Sequence, residues 1–465
     1  MISKHNKLFP IHEFFSIALA VVILQSCATT EPVAPAPEPV QAGESDLSVM
    51  MDTSSVFSKS ITGLMLYDPE SDSTLYAFRE RNFLTPASNT KLYTFYAGMK
   101  MLPEQVPSLM YEIRGDSLIF WGTGDPSFLH PDHPDSAAYQ FLKDRSETLY
   151  YSDAHYRDES LGSGWAWDDY NSYYSAEKSP FPIYGNVMRY EVERIRQEKI
   201  RFSGDKPDIE PAPLRNMIIE EESNGDEPLL IRHRTANEYY YTPKADTVRF
   251  EVKFPIHYTP ELITELLADT LGREVHYLDE PLPENPQWLY SASRDSLMKH
   301  MLQPSDNLIA EQMLLMISST LEGQPFSTRS AIDYVKENFF EFLPDEPSWV
   351  DGSGLSRYNL FTPRSTVALL TELYLEHDSH LLFSLLPAGG ESGTIRNWYA
   401  HPEGGAPFVF AKTGTLRHNH ALSGYLVTRS GRNLIFSFVH NNYTISVNDI
   451  RREMEKFLLH IHENY

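Results

Sequence analysis

Thr85-Pro86-Ala87-Ser88-Asn89-Thr90-Lys91 is the stretch on which the reading of this chain turns. Proline stands in the last position before helical geometry begins, and Asn89 to Met101 continues as a helix. Three residues of helix bring Ser88 and Lys91 onto one face, about 5–6 Å apart. A lysine held there and partly desolvated can lose its proton and act as base toward the serine hydroxyl. Serine with lysine at i+3 recurs at Ser175/Lys178 and Ser296/Lys299. Ser175 falls in a polar loop, and Ser296 falls in mid-helix, where its hydroxyl can bond the preceding turn. For both, the default is a solvated lysine. Ser88 stands at a helix N-terminus, where free N–H groups and the helix dipole favour developing negative charge.

Outward from this stretch, Gly63 to Tyr67 and Leu75 to Phe78 flank the polar turn Asp68 to Ser73 as a hairpin. At the other end, Val409 to Lys412, Ala421 to Thr428 and Leu434 to Val439 read as strands. A final helix carries Ile450, Met454, Phe457, Leu458 and Ile461 in one apolar stripe. Strands from both ends bracketed by helices predict an α+β chain with one sheet closed by its N- and C-terminal segments. Between them, 102–290 alternates strand-like runs (Tyr111 to Ile113, Leu118 to Trp121, Val248 to Phe254) with Gly, Pro and acidic loops, a mostly β insertion. Arg194 to Glu227 is polar enough for a mobile loop.

Two further elements follow Ser88 in order. Pro304-Ser305-Asp306-Asn307 interrupts two apolar helical runs, so Ser305 and Asn307 project from a short interhelical loop. Lys412-Thr413-Gly414-Thr415 ends a strand, and its glycine would let a substrate backbone lie close along that edge. Ser446-Val447-Asn448 also matches S-x-N but follows the lysine element. A G-x-S-x-G elbow and an H-E-x-x-H helix are both absent. His130-Pro131-Asp132-His133 and His418-Asn419-His420 read as solvated loop histidines, and no metal or other cofactor is called for.

The ordered set S-x-x-K, S-D-N, K-T-G, with its long first interval, resembles the D-alanyl-D-alanine carboxypeptidase/endopeptidase family of low-molecular-mass class C penicillin-binding proteins. Gly122-Thr123-Gly124-Asp125-Pro126, Gly164-Trp165-Ala166-Trp167-Asp168-Asp169 and Asp351-Gly352-Ser353-Gly354-Leu355-Ser356-Arg357 are similar to further strings of that family, and the likeness runs from about 55 to 460. It implies a β-lactamase/transpeptidase-like catalytic domain over 47–101 and 291–465, its antiparallel sheet flanked by helices, with 102–290 inserted. It implies that Ser88 attacks the penultimate D-Ala carbonyl of a peptidoglycan stem peptide, Lys91 takes its proton, and Ser305 relays a proton to the leaving D-Ala. N–H groups of Ser88 and Thr415 would form the oxyanion hole, Asn307 would hold the substrate amide, and Lys412 with Thr413 would receive the terminal carboxylate. Asp169, with Tyr174 beside it, would meet the amino group of a diaminopimelate stem. Trp398 stands where some members carry an arginine, with Arg396 two residues away. The Asp351 to Arg357 run would shape a tight turn, with positive φ at Gly352 and Gly354. β-Lactams would be covalent inhibitors. A β-lactamase-like or esterase enzyme on the same fold differs by turning the penicilloyl-enzyme over. A catalytically silent lipid-anchored scaffold has no reason to keep Ser88, Lys91, Ser305, Asn307 and Lys412 together.

The 465 residues carry a formal charge of −25, which excludes a nucleic-acid partner, and one cysteine, Cys27, which excludes an internal disulfide. Lys4 and Lys7 precede the apolar run Phe14 to Leu24, which has the length of a signal-peptide core rather than of a membrane span. Leu24-Gln25-Ser26-Cys27 resembles the bacterial lipobox. It implies a signal peptide over 1–26, a diacylated Cys27 and, with Ala28 following, a periplasm-facing lipoprotein of the outer membrane. The Pro-, Ala- and Glu-rich stretch to residue 46 reads as a tether.

Overall fold

The structure is a computed structural model that describes residues 46–133, 137–195, 199–203, 218–220, 229–242 and 249–465. The expected signal peptide, Cys27 and the tether through residue 45 lie outside the described residues, as does most of the polar stretch 194–227. Asp46 opens a helix, Asp46–Thr53, instead of closing the tether. Among the described residues, no helix is long and apolar enough to cross a membrane.

The two ends of the chain meet in one antiparallel five-stranded sheet, ordered Val409–Leu416, Asn419–Val427, Asn433–Asn441, Ile61–Asp68, Ser73–Phe78. The N-terminal hairpin joins the C-terminal strands through Ile61–Asp68, with Gly63 opposite Val439. Because side chains alternate along a strand, the sheet offers two apolar faces. Leu422, Leu426, Phe436 and Phe438 pack under the C-terminal helix Val447–Asn464, whose stripe of Ile450, Met454, Phe457, Leu458 and Ile461 is fully buried. Tyr425 and Ile435 turn to the other face, beneath Thr90–Met101, Asn307–Ser319 and Pro363–Glu376. Asn307–Ser319 is apolar on nearly every side and runs through the middle of this helical layer.

The inserted stretch builds a second five-stranded sheet, ordered Val275–Tyr277, Thr148–Ser152, Ser117–Gly122, Gln105–Arg114, Gln287–Ser293. It is mixed: Thr148–Ser152 runs parallel to both its neighbours, and the remaining pairs are antiparallel. Leu262, Ile263, Leu266 and Leu267 of the helix Pro260–Leu271 cover it. The sequence reading passed over that helix, although Thr259 accepts from Leu262 N at its start and Gly272 closes it at φ +67°. Two three-stranded sheets complete this part of the α+β fold. The last insertion strand, Gln287–Ser293, runs directly into the helix Arg294–Leu302 that precedes Ser305.

Candidate active site

Ser88 sits in a single 3-10 turn, Ala87–Asn89, that leads into Thr90–Met101. The turn is held against its preferences: Ala87 takes φ +49°, a conformation costly for a residue with a Cβ. Thr90 Oγ1 donates to Ala87 O (2.9 Å), and buried Asn89 donates from Nδ2 to Lys412 O (2.8 Å). Two glycines make the seat possible. A Cβ on Gly354 would lie 2.0 Å from Ala87 O, and one on Gly414 would lie 2.3 Å from Pro86 O. Gly414 therefore also admits the turn that carries Ser88.

Lys91 is fully buried and donates from Nζ to Ser88 Oγ (3.2 Å), Asn307 Oδ1 (2.6 Å) and Ser353 O (2.6 Å). Burial lowers its pKa to about 8, against the opposing pull of Asp351, Asp306 and Glu311. Once neutral, the amine keeps two N–H bonds. The Asn307 and Ser353 oxygens can take both, which leaves the lone pair facing Ser88 Oγ.

Asn307 is anchored in turn by Nδ2 donating to Tyr174 O (2.8 Å). Ser305 takes φ +67°, and Asp306 caps the following helix by accepting from Ile309 N (2.8 Å). Lys412 Nζ donates to Ser305 Oγ (2.9 Å) and to Thr413 O (2.8 Å). It is fully buried, and burial together with the Lys91 charge pushes its pKa well below the usual lysine range. Thr413 Oγ1 meets Thr394 Oγ1 at 2.7 Å, and Thr415 Oγ1 meets His420 Nδ1 at 2.9 Å. Ser88, Lys91, Ser305, Asn307 and Lys412 are thus linked in one cluster, with Thr413 and Thr415 on the same strand. Beside it, Gln303, Pro304, Thr394, Arg396 and Trp398 line a cleft of about 510 Å3.

Asp169 lies outside that cluster, half-buried, and accepts from Tyr174 OH (2.8 Å). It reaches the site through Tyr174, whose main-chain oxygen holds Asn307. Behind this segment, Arg232 pairs with Glu177 (2.8 Å, both buried) and donates to Tyr170 O (2.7 Å).

Several groups in the cluster were not read from the sequence. The Asp351 to Arg357 turn does more than bend: it presents Ser353 O to Lys91. Only Gly354 of its two glycines has positive φ, +84°; Gly352 is needed because Ala310 O would lie 2.5 Å from its Cβ. The turn is held from within by Asp351, which accepts from Gly354 N, Ser356 N and Asn359 Nδ2, and from Trp165 Nε1 (2.9 Å) of the Trp165 to Asp169 segment. Glu311 accepts from Gly352 N (3.1 Å) and Ser353 N (2.8 Å).

The rejected serine–lysine pairs are structural, though not as the sequence suggested. Lys178 is buried against Asp158 (3.0 Å), and Ser296 lies in the first turn of its helix, beside His133. Ser446 caps the C-terminal helix by accepting from Asn448 N. Nor are the histidines all solvated: His130 and His133 are buried, and His420 pairs in register with His440 inside the sheet, where burial holds both neutral.

Comparison with known proteins agrees with this geometry. Penicillin-sensitive carboxypeptidase A of Dictyostelium discoideum is 23% identical over 442 residues, 83% of each chain. The crystal structure of penicillin binding protein 4 (dacB) from Haemophilus influenzae superposes with a TM-score of 0.70 at 20% identity, over 90% of this chain and 98% of that one. Its complex with a novel β-lactam superposes at 0.63, with 19% identity and the same coverage. These structural likenesses show a shared fold. A family model described as D-Ala-D-Ala carboxypeptidase 3 (S13) matches residues 45–461, nearly the whole described chain. The chain therefore belongs to the D-Ala-D-Ala carboxypeptidase 3 (S13) family.

Proposed function

We propose that this enzyme cleaves the terminal peptide bond of D-Ala-ended peptidoglycan stem peptides through an acyl-enzyme on Ser88. The observation that carries the reading is the three-way environment of Lys91: two fixed acceptors, and one remaining direction, toward Ser88 Oγ. Neutral Lys91 takes the Ser88 proton as Oγ bonds to the carbonyl carbon. N–H groups of Ser88 and Thr415 donate to the developing oxyanion, each typically worth about 3–4 kcal/mol. The carbon–nitrogen bond then breaks, the leaving amine takes a proton through Ser305 Oγ, and water releases the product acid from Ser88. Lys412 donates to Ser305 and, with the Thr413 hydroxyl, faces the substrate carboxylate. That carboxylate would restore the charge that burial opposes on Lys412. Asp169 meets the stem amino group. β-Lactams, whose ring amide is attacked in the same way, acylate Ser88; the relative crystallised with a β-lactam supports this.

The test is covalent labelling by fluorescent penicillin with intact-mass detection. One adduct per chain is expected, absent from Ser88→Ala; equal labelling of that variant overturns the assignment. Digests of purified muropeptides then separate loss of one D-Ala from conversion of cross-linked dimers to monomers. The lipobox-like run supports a second proposal: diacylated Cys27 anchors the enzyme to the outer membrane, facing the periplasm. Cys27→Ala should move it from the membrane to the soluble envelope fraction.

A further inference from the structure

The turn that carries His130-Pro131-Asp132-His133 lies along one face of the helix Arg294–Leu302. His133 Nε2 is 3.2 Å from Ser296 Oγ, and the His130 ring meets the His300 ring edge-on, with centroids 5.4 Å apart. Ser296 and His300 are four residues apart, one above the other on that helix. One ligand atom each from His130, Asp132 and His300 lie within 4.8 Å of one another.

We propose that His130, Asp132 and His300 form a binding site for a divalent metal ion of the zinc class. Two imidazoles and one carboxylate are a donor set suited to Zn2+ and its first-row neighbours; Ca2+ and Mg2+ demand a shell of oxygens. His130 Nδ1 accepts from Asp132 N at 3.2 Å, so that nitrogen points its lone pair toward the Asp132 side. The bond is long, and a metal would displace it. Tetrahedral ligands at about 2.0–2.2 Å from zinc lie about 3.4 Å apart, so no separation must close by more than roughly 1.4 Å. Closing it falls to Asp132, which is exposed, and His300, which is half-buried; His130, only 4% exposed, is the fixed wall. His300 lies in the last turn of its helix, where the negative end of the helix dipole favours a cation. The remaining coordination position would hold water.

The metal would join the inserted stretch, which supplies His130 and Asp132, to the helix that ends at Leu302, three residues before Ser305. It would act as a staple on the S-D-N loop and take no part in acyl transfer.

The test is titration of the metal-stripped full chain with ZnCl2 by calorimetry and thermal unfolding, and with CoCl2 by visible absorption. One equivalent is expected, with the d–d bands of Co2+ at an N2O site and a midpoint raised by roughly 3 °C at a hundredfold excess over Kd. His300→Gln and Asp132→Asn should abolish the shift and the bands, while His133→Ala, which removes none of the three ligands, should keep both. Penicillin labelling of each variant reports that it is folded. No binding at millimolar Zn2+, or a shift unchanged in His300→Gln, overturns the site whether or not Ser88 is acylated.

Discussion

Lys91 Nζ lies 2.6 Å from the carbonyl oxygen of Ser353, a residue 262 positions further along the chain. That contact and the 2.6 Å bond to Asn307 Oδ1 fix a buried lysine so that its one remaining direction is toward Ser88 Oγ, as the proposed base requires. The turn that supplies the carbonyl is itself held by Glu311 and Asp351, so the direction of one lone pair depends on residues far from the motif that names it.

Because Lys91 is the base only when neutral, the rate of penicillin acylation should climb about tenfold per pH unit and level off near pH 8. Lys91→Arg, which cannot shed its proton, should remove the climb, and Asn307→Ala should lower the rate by about 10²- to 10⁴-fold. Stopped-flow acylation across the pH range checks this; a profile flat below neutrality would assign the proton elsewhere.

Glu311 is a second pH-sensitive group. Burial, and then the neighbouring Asp351 charge, raise its pKa from 4.5 to about 7. A carboxyl whose folded pKa is raised stabilises the fold fully below about 4.5 and loses that contribution as pH rises through about 7. Glu311→Gln should flatten this dependence. It should also cost about 1–3 kcal/mol, because one of the Gly352 and Ser353 N–H groups loses its acceptor. Urea unfolding midpoints measured between pH 4 and 8 decide the matter.

Gly414→Ala should fold, yet acylate poorly. Its Cβ would meet Pro86 O at 2.3 Å and Asn89 N at 2.9 Å, so the Ser88 turn must move away from its strand. A shift of about 1 Å at the nucleophile is enough for a roughly hundredfold loss. Acylation equal to that of the parent would show that the turn relaxes without moving Ser88.

Arg232→Met should leave Glu177 with His257 (3.1 Å) as its remaining ionisable partner and destabilise the fold by about 1–3 kcal/mol. It also removes the bond to Tyr170 O, which holds the segment carrying Asp169 and Tyr174. For the fraction that folds, KM for a diaminopimelate-containing stem should rise more than kcat falls. The double variant Arg232→Met/Glu177→Gln should recover part of the stability, since no buried charge is left unpaired.

The comparison between chain and structure is clearest where geometry is local. A serine and a lysine three residues apart on a helix must share a face, so Ser88 and Lys91 were readable directly, and the order of the later motifs selected Ser305, Asn307 and Lys412. The C-terminal helix was equally plain, because a 3.6-residue apolar stripe leaves one way to bury it. The helix Pro260–Leu271 was passed over despite its cap and its terminal glycine. The histidines were misjudged because local polarity says nothing of what packs on top. His420 lies opposite His440, a strand away, and His130 lies against His300 of a helix 170 positions further on.

By itself, then, the sequence determined which side chains come together in the candidate site, in what order, and on which kind of element. Only the tertiary structure decided what would let Lys91 serve as the proposed base: burial lowers its pKa, and the acceptors that aim it are an amide from a distant helix and a main-chain carbonyl. Main-chain atoms are the same in every residue, and burial belongs to the packed whole. Neither can be written in a motif.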